Sequence, residues 1–197
     1  MKNVLLLLLM IGMFSCAKED ASVLTTSLSG TLKCINDNPL EGMTVDATDE
    51  NGTVTSTITN ATGEFTFAGL NPGNYKIHAR TDNYYVYTDA EYDTIIADVW
   101  ALILGQKNPR KQDLIAYHMI DFDNKITTYD KLLFQKMKDQ EYTVIDYMPW
   151  RLIKMDDFES GNIYAEDNIT TTVVENVETN VEILAFYIGD PDGNRCQ

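Results

Sequence analysis

"TNATGEFTFAGLNPGNYKI", Thr59 to Ile77, decides the fold. Within it Phe65 and Phe67 share one face of an extended chain while Thr66 takes the other, the period-two signature of a half-buried strand. "NPG", Asn71 to Gly73, has the residues that reverse a chain, and Tyr75, Ile77 and Ala79 then resume an inward-facing row. The same alternation extends toward the N-terminus through "LSGTLKCI", "MTVDATDENG" and "TVTSTITNATG", punctuated by Asn, Asp and Gly. Short strands at this spacing predict an antiparallel β-sandwich over residues 28–83.

The 197 residues are 44% hydrophobic, enough for a packed core. Thirty acidic side chains against fifteen Lys and Arg give a formal charge of −15. Such a charge repels phosphate backbones and anionic head groups, which excludes nucleic acid as a partner class and leaves cations, neutral glycans and other proteins.

The chain opens "MKNVLLLLLMIGMFSCAKED". Lys2 is a positive n-region, and the apolar run Val4 to Phe14 is too short to span a bilayer, so residues 1–15 read as a signal peptide. Cys16 directly after the run resembles the bacterial lipobox, whose acylated cysteine becomes the first mature residue; Met13 and Phe14 depart from its usual pattern, and ordinary cleavage near Ser15 is the alternative. Residues 16–27 then form a lipid-anchored tether. Within it Ala17, Lys18, Glu19 and Asp20 resemble the Lys-acidic export signal of Bacteroidetes lipoproteins, which implies an outer-membrane location facing the cell exterior.

Gly30, Pro39-Leu40-x-Gly42, Val45, Gly52, "TNATGEFTF", Gly69-Leu70 and "NPGNYKI" together resemble the carboxypeptidase regulatory-like, or transthyretin-like, domain. The resemblance implies a non-catalytic module that serves as a spacer or binding platform. No "HxxE" zinc helix accompanies it in this sequence.

Past Tyr84 the spacing turns helical. "IIADVWALILG" places Ile96, Val99, Trp100 and Ile103 on one stripe and stops at Gly105, and "TYDKLLFQKMK" repeats Tyr129, Leu133 and Met137. Between them "MIDFDNKITTYD", Met119 to Asp130, fits a calcium loop in register: Asp121, Asp123, Thr127 and Asp130 at oxygen-ligand positions, Lys125 by its backbone carbonyl, Asn124 at the tight turn. Met119 stands where the first carboxylate belongs. The segment resembles half of a dockerin-type repeat, with a blurred first half around "TDAEYDTIIADVW", so residues 84–145 are expected to form a dockerin-like helical module. Two readings stay open for the loop: weak Ca2+ binding, or acids that cap and solvate a helix start with Thr127 or Thr128 as N-cap.

Residues 146–197 form an expected C-terminal β segment, from the strand propensity of "ITTTVVENVETNVEILAFYIG"; its end, Gly-Asp-x-Asp-Gly, and "PWRLI" resemble segments that follow dockerin-like repeats in Bacteroidetes surface proteins. Cys34 and Cys196 either pair or stand apart as a buried and a loose thiol. His78 and His118 are the only histidines, and no phosphate loop or nucleophile elbow is present, so no enzyme is expected. Trp100 and Trp150 are assigned to core packing rather than to sugar stacking. The whole reads as a mainly β surface lipoprotein with a small helical module, acting as an adhesion or scaffold module for a protein or glycan partner. The alternative is a calcium-dependent dockerin-like module that recruits a cohesin-like partner.

Overall fold

The computed structural model describes residues 26–81, 85–117, 125–140, 150–163 and 168–195. The alternating segments become strands β1 (Ser27–Cys34), β2 (Thr44–Thr48), β3 (Val54–Ile58), β4 (Glu64–Ala68) and β5 (Gly73–Arg80). In β1, Leu28, Leu32 and Cys34 face inward, and β4 and β5 contribute Phe65, Phe67, Tyr75, Ile77 and Ala79 to the same interior. Helices α1 (Asp89–Ile103), α2 (Lys111–Ala116) and α3 (Thr128–Lys138) follow, then β6 (Trp150–Lys154), α4 (Met155–Ser160), β7 (Asn168–Val173) and β8 (Glu178–Tyr187).

The strands make two four-stranded sheets, in the orders β4-β1-β8-β6 and β3-β2-β5-β7. Mainly β with two sheets and a few helices, the architecture is that of a β-sandwich. The expected all-antiparallel N-terminal sandwich needs correction, because β1 pairs with β8 in parallel, Ser27 beside Glu178 and Cys34 beside Ala185. β7 pairs antiparallel with β5, and β6 with β8, so β6, β7 and β8, the strands of the expected C-terminal β segment, complete both sheets. The reason is visible in β8. Val181, Ile183, Ala185 and Tyr187 face the sandwich interior, while Leu184 and Phe186, on the other face, are buried with Ile115 of α2 and Ile153 of β6. A strand covered on both faces belongs at the middle of a sheet.

The helices share the sandwich core. Tyr92, Ile95 and Val99 of α1 and Leu133, Phe134 and Met137 of α3 join the cluster that holds Leu32, Ile77 and Ile183. Thr88 caps α1 through a capping box with Glu91, and Gly105, at φ +67°, follows its last residues. The buried stripe of α1 is rotated from the expected one, so Trp100 is 41% exposed under the ammonium of Lys131, 5.0 Å from its ring centre. Trp100 is therefore not core, whereas Trp150 is, edge-on to Tyr187. Tyr129 likewise lies half exposed, its place on the α3 stripe taken by Phe134.

Candidate functional site

Where β8 ends, the chain turns back against the helices. Tyr187 donates through its hydroxyl to Tyr85 O at 2.5 Å, Tyr87 donates to Ile188 O at 2.8 Å, and Gly189 N donates to Ala116 O at 2.8 Å. Gly189 has φ +85°, a conformation L side chains rarely adopt, and a Cβ there would come within 3.0 Å of the Ile95 side-chain tip and 3.2 Å of the Phe134 ring, so a side chain would be strained and would push those tips aside by a few tenths of an ångström. The turn "GDPDGNR" that follows, with α1 and Tyr117, walls a cleft of about 530 Å³.

Charge in this cleft is arranged in pairs. Arg195 lies over the Tyr85 ring and ion-pairs with Glu91, which also takes the Tyr85 hydroxyl and the Thr88 N–H. These hydrogen bonds, the Tyr85 hydroxyl foremost, hold the Glu91 carboxyl down at about 2. Lys107 Nζ meets Asp98 at 3.3 Å, and the Tyr117 hydroxyl donates to the same carboxylate oxygen at 3.2 Å. Arg110 bridges two acids: Asp192 at 2.7 Å on the rim and the fully buried Asp113 at 2.7 Å. Burial works to raise the Asp113 carboxyl, but the Arg110 guanidinium and N–H outweigh it and hold it below the usual range. Asp190 is buried beneath the turn; burial raises its carboxyl despite the N–H groups of Arg195, at 2.5 Å, and Asn194.

The expected calcium ligands are elsewhere. Thr127 and Asp130 form the capping box of α3: Asp130 accepts from Thr127 N at 2.7 Å and from the Thr127 hydroxyl at 2.9 Å, while Thr127 Oγ1 accepts from Tyr129 N at 3.2 Å. This is the helix-start role open to them in the sequence. Lys125 lies at the edge of the described residues; Asp121, Asp123 and Cys16, the expected lipidation residue, lie outside them, as does His118. Among the described residues no group of three or more His, Cys, Asp or Glu is placed to hold a metal. Cys34 is disulfide-bonded, and Asn36 Nδ2 donates to Gly193 O at 2.8 Å; Cys196 lies outside the described residues.

The sequence reading missed the cleft, since its walls come from residues about a hundred positions apart. Two local signals were available: the Thr88-x-x-Glu91 capping box and the Gly-Asp-x-Asp-Gly turn at residues 189–193.

Residues 27–95 match the Carboxypeptidase regulatory-like domain, from β1 through β5 into the first turns of α1. Domains of this kind are non-catalytic. No curated protein matches the chain. The matched region leaves out β6, β7 and β8, so in this protein the domain is completed by strands that lie beyond the matched stretch.

Proposed function

We propose that the protein is a non-catalytic surface lipoprotein, anchored through Cys16, whose carboxypeptidase regulatory-like sandwich holds a binding site for a protein or glycan partner away from the membrane. The observation that carries this reading is the polarity of the sandwich. The tether enters at Ser27, beside Glu178, whereas the cleft lies past the opposite end of β8. At ~3.3 Å per residue, Ser27 and Cys34 are about 23 Å apart along β1, so an anchor at the first end directs the cleft outward. Cations paired with the cleft's carboxylates support binding over catalysis, because carboxylates held by Arg and Lys are poor general acids.

The test is fractionation followed by capture. The wild-type chain is expected in the outer membrane, exposed to protease on intact cells, and Cys16→Ser is expected to release it. A wild-type chain that remains soluble would refute the anchor.

One observation favours a second reading, the calcium-dependent dockerin-like module. Tyr117, just before the loop, meets Phe134 of α3, just after it, edge-on at 6.3 Å, which brings the two ends of the loop together, and α1 packs against α3. Calorimetric titration of calcium into the protein separates the two. Heat that vanishes in Asp121→Ala, with partner capture abolished by chelator, establishes this second reading; capture indifferent to chelator supports the first.

A further inference from the structure

We propose that the cleft between α1 and the turn at residues 189–195 is a subsite for a neutral saccharide, a proposal that rests on the binding-module reading and names its ligand. Charge disfavours the charged small-ligand classes. A chain of −15 repels anions. A cationic ligand would have to compete with Lys107, Arg110 and Arg195, which already pair with Asp98, Asp192 and Glu91. What remains exposed is hydrogen-bonding capacity on fixed groups. Among the described residues, Oδ1 of Asp98 and Oδ2 of Asp192 accept no hydrogen bond, and the Asn194 amide makes none. A sugar hydroxyl is donor and acceptor at once, and so fits a wall that carries both the carboxylate oxygens of Asp98 and Asp192 and the N–H groups of Asn194 and Arg195.

The remaining geometry agrees. Ion pairing holds the Asp98 and Asp192 side chains in place before a ligand arrives, which lowers the ordering cost of binding. A volume of about 530 Å³ takes a mono- or disaccharide and falls in the ~300–1,000 Å³ range of small-molecule clefts. A peptide would want a free strand edge or a larger apolar pocket, and this cleft has neither.

The test uses the full-length chain in a detergent without a sugar head group. Maltose, cellobiose, lactose and N,N′-diacetylchitobiose are titrated by calorimetry and saturation-transfer NMR, with sialyllactose and glucosamine as anionic and cationic controls. At least one neutral disaccharide is expected to bind at roughly millimolar Kd, the controls more weakly. Asn194→Ala removes an exposed side-chain amide that bonds nothing among the described residues. It is expected to leave the melting temperature unchanged and weaken binding by roughly tenfold, the loss of about one hydrogen bond. No neutral disaccharide bound at tens of millimolar, or binding indifferent to both Asn194→Ala and Asp192→Asn, overturns the proposal. If such a chain still sits in the outer membrane and captures a protein partner, the binding-module reading survives and only the saccharide fails.

Discussion

Gly30→Ala tests the central feature of the fold, the parallel seam between β1 and β8. A Cβ at Gly30 would sit 2.2 Å from the backbone oxygen of Val181, 2.6 Å from the Phe65 ring and 2.9 Å from a Val181 methyl. Carbon and carbonyl oxygen tolerate an approach of about 3.3 Å, so β1 and β8 would have to part by roughly 1 Å. Backbone cannot swing aside as a side-chain tip does, and parting the strands weakens a ladder that runs from Ser27 to Cys34. Overpacking of this kind costs about 1–3 kcal/mol, and the rigid backbone contact sets the expectation at the upper end, ~3 kcal/mol. For a domain of this size that lowers the melting temperature by about 6–12 °C. Gly52→Ala is the control: its φ is +82°, with nothing within 4 Å of the added methyl, so its cost is backbone strain alone, about 1 kcal/mol. Both variants are followed by thermal melts on circular dichroism and by urea titration. A Gly30→Ala melting temperature at or above that of Gly52→Ala would refute the β1–β8 register, and with it the claim that the C-terminal strands complete the sandwich.

Thr127→Ala is expected to cost about 1 kcal/mol by removing the α3 cap, and Asp130→Ala a similar amount, with the double variant costing less than their sum because they form one capping box; equal losses in calcium and in chelator would assign both residues to the cap alone. Peptide mapping under non-reducing conditions is expected to join Cys34 to Cys196, given the contact between Asn36 and Gly193. A Cys16–Cys34 peptide would instead remove the thiol the lipid anchor needs. The Glu91 carboxyl is held at about 2 against an ordinary 4.5, so its contribution to stability is complete above about pH 4.5 and disappears as pH falls through 2. Tyr85→Phe removes the leading cause, and its melting curve should converge on that of the wild type over that interval; a constant gap down to pH 2 would refute the assignment. Asp190, whose carboxyl is raised by burial, acts with the opposite sign, and it drops out of the comparison because both proteins carry it.

The strands that the sequence made legible are those with one dry face. Leu28 and Leu32, Phe65 and Phe67, Tyr75 and Ile77 alternate with polar neighbours, and the turns between them carry Gly, Asn or Asp. β8 was harder to place for the same physical reason: from Ile183 on, "ILAFYIG" is buried on both faces, alternation vanishes, and nothing in a continuous apolar run names its partner or its direction. The stripe of α1 was displaced because Ile95 and Ile96 are both apolar, about 100° apart on the helix, and Val99 completes a stripe with either. Only packing against α3 decides that Ile95 goes inward and Trp100 lies under Lys131. At the Thr127–Asp130 end of the loop the sequence left cap and ligand open, since both chemistries use the same oxygens; the hydrogen bonds from Thr127 show the cap. The cleft escaped because ion pairs such as Arg110–Asp192 and Arg195–Glu91 join residues with no periodic relation in the chain.

The way the helices are held bears on what calcium would do here. In a free-standing helix-loop-helix the metal supplies folding free energy, because the two helices bury too little apolar surface by themselves. In this protein Tyr92, Ile95, Val99, Leu133, Phe134 and Met137 are already in one core with the strands, and Tyr87 is tied to the end of β8 by its hydroxyl. Burying an apolar side chain of that size contributes about 1.5–3 kcal/mol, so these residues together exceed what a weak, millimolar site adds by mass action, which is under ~1 kcal/mol when calcium is near its Kd. A loop with Met119 in place of its first carboxylate would therefore leave the helices folded. The expected outcome is a melting temperature that moves by no more than about 2 °C between chelator and millimolar calcium, even if calcium binds. A shift several times larger would mean that the metal and not the shared core holds α1 and α3 together, and it would favour the calcium-dependent reading.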